Sequence, residues 1–396
     1  MTDRPEKQEI LKRIENLYNA LNKNSADWDA AFIAGRVNQY YFKGTMQDGI
    51  FILKNDGTYI FCVRNSLERA KSESPLEHIY PITGYKEAAN KIGSEIHSIY
   101  IETEVMSYAM LERLKKYFKI EKIIPADKII FKTRAVKSRY ELACMEESGR
   151  GQEQLFKNII PALLKEGINE AEFAALIYNE MVKSGHYGVT RFAMFQAEQV
   201  IGQVCFGENS LYPTNFDGPG GMKGMSPAVP TLGDRNRLLK KGDLVFADIG
   251  YNINGYQTDR TQVYMFGKTP SDEVEKIHRQ CLRIQTEAAA LLKPGGIPGE
   301  IYSTVMNSLD DDFLENFMGF GGRRVKFLGH GVGLHIDEYP LISDGFTEPL
   351  EENMTIAVEP KKGIPNVGMA GVEDTYIVTK NGGRCITGGE KDIIVV

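Results

Sequence analysis

Apolar residues recur along the chain with two periods. In residues 5–23, Ile10, Leu11, Ile14, Leu17, Tyr18 and Leu21 follow a spacing of three to four, which predicts an amphipathic helix. Short β-rich runs follow: AAFIAG over 30–35, GIFILK over 49–54 and YIFCVR over 59–64. Asn55-Asp56-Gly57 stands between the last two as a hairpin signal. SIYIE over 98–102 predicts another strand and residues 105–118 another helix. Helices are further expected over 137–158, over 169–185 with Asn169 and Glu172 as a capping box, and over 271–293 with Ser271 as N-cap and Pro294-Gly295 as stop. Between Pro213 and Gly233, five glycines and four prolines predict a loop. The pattern change near residue 132 divides the chain into segments 1–132 and 133–396, the first an α/β or α+β domain.

Composition narrows the function. Hydrophobic residues make up 42% and charged residues 25%, enough for large buried cores. The formal net charge of −6 argues against a nucleic-acid surface. No apolar run approaches a membrane span, and MTDRPEKQEILKRIENL lacks a signal-peptide core, so a cytoplasmic, membrane-free chain is expected. Cys62, Cys144, Cys205, Cys281 and Cys385 show no disulfide or zinc spacing and read as free thiols. No GxSxG elbow or phosphate-binding loop is present.

The sharpest local feature is LVFADIGYNINGYQTDRTQVYMF. Asn254-Gly255 predicts a two-residue hairpin turn. Ile253 then pairs with Tyr256, and Gly250 faces Asp259. Asp248 shares a face with Gly250, so Asp248 and Asp259 become diagonal neighbours with Cβ atoms about 7 Å apart. Two carboxylates so placed among apolar residues call for a cation between them. The same pair also reads as two solvated acids at a strand end. Three more segments carry donors at the ends of apolar runs: His330 in KFLGHGVGLHIDEYP, Glu359 in MTIAVEP, and Glu373 beside Asp374 in MAGVEDTYIVT. One histidine and several carboxylates form a hard donor set suited to Mn²⁺, Fe²⁺, Co²⁺ or Zn²⁺.

The ordered set Asp, Asp eleven residues later, His in Gly-His-Gly, Glu in V-E-P and Glu in V-E-D-T resembles the M24 metallopeptidases, the methionine aminopeptidase, Xaa-Pro aminopeptidase and prolidase group. VKSRYELACMEESG resembles the opening helix of that domain, and RVNQYYFKG the creatinase/prolidase N-terminal domain. The resemblance implies an α+β protein of two domains. Residues 1–132 would form a creatinase-like α/β domain. Residues 133–396 would form a pita-bread domain, a curved antiparallel sheet flanked by helices. It also implies a homodimer and two divalent ions, Mn²⁺ foremost, held by Asp248, Asp259, His330, Glu359 and Glu373. Glu359 would in addition help activate water, and the implied substrate is a peptide or small amide, of Xaa-Pro type.

The sequence departs from the family pattern around these ligands. Two usual histidines are replaced by Thr231 and Asp337, with His335 two residues before the latter. These three are the candidate auxiliary residues. A common arginine is Gly371, and the usual E-P-G reads Glu359-Pro360-Lys361-Lys362. Arg191, Arg323 and Arg324 are candidates for a substrate carboxylate. The rewritten surroundings leave two other readings open: a non-peptidase C–N hydrolase or lyase on the same scaffold, and a catalytically inactive binding module.

Overall fold

A computed structural model describes residues 4–194, 197, 199–216, 218–389 and 391–396. The chain divides into two compact units, Met1–Arg134 and Ala135–Val396. The helix Asp127–Ala135 runs through residue 132, so the chain crosses that position as helix.

In the first unit, strands β1 (Ala30–Ile33), β2 (Gly49–Lys54), β3 (Tyr59–Val63), β4 (Ile79–Pro81), β5 (Ser98–Ile101) and β6 (Lys122–Pro125) form one mixed sheet in the order β4-β3-β2-β1-β5-β6. Neighbours among β1, β2 and β3 run antiparallel, as the Asn55-Asp56-Gly57 turn requires, and the outer pairs run parallel. Ala30, Phe32, Ile50, Ile52, Ile99 and Ile101 from this sheet share a core with Leu114 and Phe118. RVNQYYFKG folds as the helix Arg36–Lys43. Buried Glu102 supplies its missing N-terminal cap, accepting from Ala34 N at 2.5 Å, Gly35 N at 2.6 Å and Asn38 Nδ2 at 2.6 Å.

The second unit holds β7 (Gly202–Phe206), β8 (Leu244–Ile253), β9 (Tyr256–Met265), β10 (Gly319–Phe320), β11 (Arg323–Arg324), β12 (Phe327–Gly331), β13 (Glu338–Ser343), β14 (Thr355–Val358), β15 (Lys361–Ile364), β16 (Gly368–Gly371), β17 (Asp374–Thr379), β18 (Gly382–Cys385) and β19 (Ile394–Val395). Two sheets dominate, ordered β13-β12-β14-β17-β18 and β19-β9-β8-β7. All their pairings are antiparallel except β19 with β9. An antiparallel bridge between Thr261 and Glu373 joins them, and β15 and β16 form a separate hairpin.

Helices cover the sheets. Ser138 caps Arg139–Gln154 through a reciprocal bond with Glu141. The expected helix over 137–158 does not stay regular. It passes through a π-helical turn at Leu155–Ile159 and continues as Ile160–Leu163. Asn169 caps Glu170–Lys183, and Ser271 caps Asp272–Leu291. The helix expected over 105–118 shortens to Tyr108–Lys115 behind its cap Ser107. Among the described residues, no helix is long and apolar enough to cross a membrane.

Candidate metal centre

Strand periodicity brings the acidic residues together. On β8 the odd positions Val245, Ala247, Ile249 and Tyr251 pack with Leu155, Phe156, Phe173 and Ile177 of the helices. The even positions, Asp248 and Gly250 among them, therefore face the other way. Every β8–β9 pair follows the turn, from Ile253 with Tyr256 through Gly250 with Asp259 to Asp248 with Thr261. Asn254 and Gly255 have φ of 53° and 84°, the left-handed pair that such a turn requires. Asp248, Asp259 and Thr261 consequently share one face.

The other sheet brings the remaining donors by the same rule. His330 pairs with Ala357, and Ala357 pairs with Thr375. Glu359 lies two residues after Ala357, and Glu373 two before Thr375. Ile356, Val358, Tyr376 and Val378 occupy the opposite face and enter the core. The Gly-His-Gly motif has a steric cause. A Cβ on Gly329 would stand 2.1 Å from Ala357 O, and one on Gly331 would stand 2.3 Å from Tyr339 O. Glycine on both sides lets β12 lie between its neighbours with the imidazole directed at the carboxylates.

All five expected ligands meet in one buried place. His330 Nε2 lies 4.0 Å from Asp259 Oδ2, 3.6 Å from Glu359 Oε1 and 3.7 Å from Glu373 Oε1. Two overlapping groups of donors converge closely enough to hold an ion, Asp259 with His330 and Glu373, and Asp248 with Glu359 and Glu373. His330 Nδ1 is 3.1 Å from the Gly331 carbonyl, which can only accept, so Nδ1 carries the proton and Nε2 faces the acids. Thr375 Oγ1 accepts from Asp259 N, and Thr261 Oγ1 donates to Glu373 Oε2. Glu373 Oε1 is buried and finds no hydrogen-bond donor among the described residues. A hard donor set with an orphaned carboxylate oxygen fits a divalent cation at the first group.

The second group already has a cation. The Lys361 ammonium, fully buried, lies 2.9 Å from Asp248 Oδ2, 2.8 Å from Glu359 Oε2 and 2.7 Å from Glu373 Oε2. A protein cation sits among three of the four carboxylates. Two signals were present in the sequence, the call for a cation beside Asp248 and the lysine where the pattern has glycine. Only the fold, which carries Lys361 across 113 residues of chain to Asp248, connects them.

The charges act on one another strongly. Burial raises Asp248 to about 6 and Glu359 to about 8, with the Lys361 charge opposing both shifts. Burial and the neighbouring Glu373 and Asp248 push Asp259 well up. Glu373 is the exception: burial would raise it, but Lys361 and His330 outweigh that and hold it at about 2. Burial would lower His330 and Lys361, yet the surrounding carboxylates raise His330 to about 10 and Lys361 well above its ordinary value.

A cavity of about 30 Å³ opens onto the centre, lined among others by Thr190, Phe192, Gln203, Phe216, Ile336 and Asp337. Of the three auxiliary candidates, only Asp337 lines it. Burial raises the Asp337 carboxyl, which accepts from Ala193 N at 2.7 Å. Thr231 and His335 are not among the described residues that line this cavity. Residues 333–337 form a bend rather than a strand, so strand alternation does not govern the directions of His335 and Asp337. The His335 N–H donates to Glu338 Oε1, which helps hold the bend. The guanidinium of Arg323 is bound to the carbonyls of Phe216 and Gly218, so it fastens the loop instead of presenting itself to a carboxylate.

Comparison with known proteins extends beyond these ligands. The family model of metallopeptidase family M24 matches residues 143–380, and that of the creatinase/prolidase N-terminal domain matches residues 13–136. A Xaa-Pro dipeptidase of Pyrococcus furiosus is 28% identical over 97% of this chain and 100% of its own. The crystal structure of the prolidase from Pyrococcus horikoshii OT3 superimposes with a TM-score of 0.78 at 26% identity, covering 97% of this chain and 100% of that one. A dipeptidase of Mycobacterium ulcerans, at 22% identity, shares the fold with a TM-score of 0.80 over 99% of both chains.

Proposed function

The chain belongs to metallopeptidase family M24, and from that premise we propose that it hydrolyses short peptides of Xaa-Pro type at a centre built on Asp259, His330, Glu359 and Glu373. The observation that carries this reading is the convergence of a neutral-capable imidazole and buried carboxylates beside an orphaned Glu373 oxygen. The dipeptidase and prolidase names of full-length relatives support the substrate class.

A divalent ion held there supplies Lewis-acid polarisation of a carbonyl and activation of water near neutral pH. The protein contributes the rest. Glu359, at the wall of the cavity, accepts a proton from water and returns it to the leaving amine. Phe192 and Phe216, in edge contact with ring centroids 5.0 Å apart, offer an apolar wall for a proline ring. Thr261 and the Gly331 carbonyl fix Glu373 and His330 so that little reorganisation is needed. The proposal includes Mn²⁺ as the ion, supported by the oxygen-rich donors, a homodimer, supported by the family resemblance alone, and a cytoplasmic location, which accords with the expectation from the sequence.

The test is turnover of a dipeptide panel, with and without proline, after loading with Mn²⁺, Co²⁺, Fe²⁺ or Zn²⁺. Cleavage of Xaa-Pro dipeptides is expected. Stoichiometric metal without turnover of any peptide would refute the peptidase reading.

A further inference from the structure

We propose that the Lys361 ammonium takes the place of one of the two metal ions, so that this chain holds a single divalent ion, at Asp259, His330 and Glu373. The inference rests on the metal-centre reading above and concerns how many ions that centre holds.

Three observations support it. The three oxygens around Nζ, from Asp248, Glu359 and Glu373, belong to the same residues that compose the second candidate ion group. An ion at that position would need those oxygens at about 2.1 Å, within the contact shell of the ammonium. Two cations cannot share the same three oxygens in a buried setting, where their mutual repulsion is weakly screened.

The lysine is also unable to withdraw. Its backbone is fixed in β15, with Lys361 paired to Gly371 and its carbonyl accepting from Met318 N at 2.8 Å. The side chain is fully buried. Leaving the carboxylates would strand an ammonium among apolar neighbours such as Phe246.

Finally, Gly371 provides the space. A Cβ there would fall 2.4 Å from Pro360 O, 2.6 Å from Lys361 Cα and 3.1 Å from Lys361 Cγ. The Pro360 and Lys361 backbone, with the lysine stem beside it, leaves no room for a side chain at 371. The neighbouring Lys362 points the other way, toward the carbonyls of Asp312, Phe313 and Glu315.

The charges remain reasonable. Four carboxylates are met by one ammonium and one divalent ion, leaving a single negative charge in the centre.

The test counts ions. Full-length protein is stripped with a chelator, reloaded with excess Mn²⁺, desalted and analysed for metal content, with electron paramagnetic resonance to separate isolated from spin-coupled Mn²⁺. The expected result is one Mn²⁺ per chain with an isolated-ion spectrum, rising to two coupled ions in Lys361→Gly. Two ions in the unaltered protein would overturn the proposal and leave the metal centre standing. No bound ion would overturn both. A Lys361→Gly protein that folds and still takes only one ion would show that the ammonium is not what excludes the second. Should that variant fail to fold, calorimetric titration of the unaltered chain decides the matter by saturating at one or at two equivalents.

Discussion

Replacing Lys361 by Met keeps the stem and removes the charge. Asp248, Glu359 and Glu373 then lose contacts of 2.7–2.9 Å in a fully buried setting. Removing one partner of a buried ion pair costs about 3–5 kcal/mol, because the remaining charge is left uncompensated. At about 2–4 °C per kcal/mol for a unit of this size, the chelator-treated variant should melt roughly 6–20 °C below the parent. Lys362→Met is the matched control. Its ammonium meets neutral carbonyls, so the loss should be about 1.5–3 kcal/mol. Saturating Mn²⁺ should recover more stability in Lys361→Met than in the parent, since the freed carboxylates become ligands. Differential scanning calorimetry of the three proteins, with and without Mn²⁺, is the assay. A Lys361→Met loss below about 1 kcal/mol, or smaller than that of Lys362→Met, would refute the electrostatic role assigned to this lysine.

Three further outcomes are expected. Gly331→Ala places a Cβ against the Tyr339 carbonyl, so stability should fall by about 1–3 kcal/mol or more and Mn²⁺ affinity should fall with it; unchanged titration curves would contradict the packing argument. Ser138→Ala removes one half of a capping box and should cost about 1 kcal/mol in urea denaturation, with no effect on metal content. Burial lowers His186 to about 4, and its Nδ1 accepts from Asn252 N at 3.1 Å. Its neutral form is favoured in the folded chain, so this contribution is complete above pH 6.5 and is lost as pH falls toward 4, by about 3 kcal/mol in total. His186→Gln should flatten the stability profile in that window; an unaltered slope would show that other groups set it.

The legible parts of the molecule were those fixed by local chemistry. Asn254-Gly255 determines a two-residue turn, and with it the register of ten paired positions, so the common face of Asp248 and Asp259 followed from the sequence. Helix starts at Asn169 and Ser271 were legible because a side-chain oxygen caps a nearby N–H. The five donors were legible from their ordered contexts. Less legible were features set by contacts distant in sequence. Lys361 reaches Asp248 only because the β15–β16 hairpin folds back toward β8, and no periodicity encodes that return. The directions of His335 and Asp337 are not legible either, because Glu338 and Lys137 hold that segment in a bend through a buried ion pair. The π-helical turn at Leu155–Ile159 falls within a run whose side-chain spacing gives no break.

The most direct test is anomalous diffraction from crystals of the full chain grown with Mn²⁺. The account predicts one manganese peak, about 2.1 Å from Asp259, His330 Nε2 and Glu373, with Lys361 Nζ still bonded to Asp248. A peak among Asp248, Glu359 and Glu373 with the lysine displaced, or manganese away from all five donors, would contradict it.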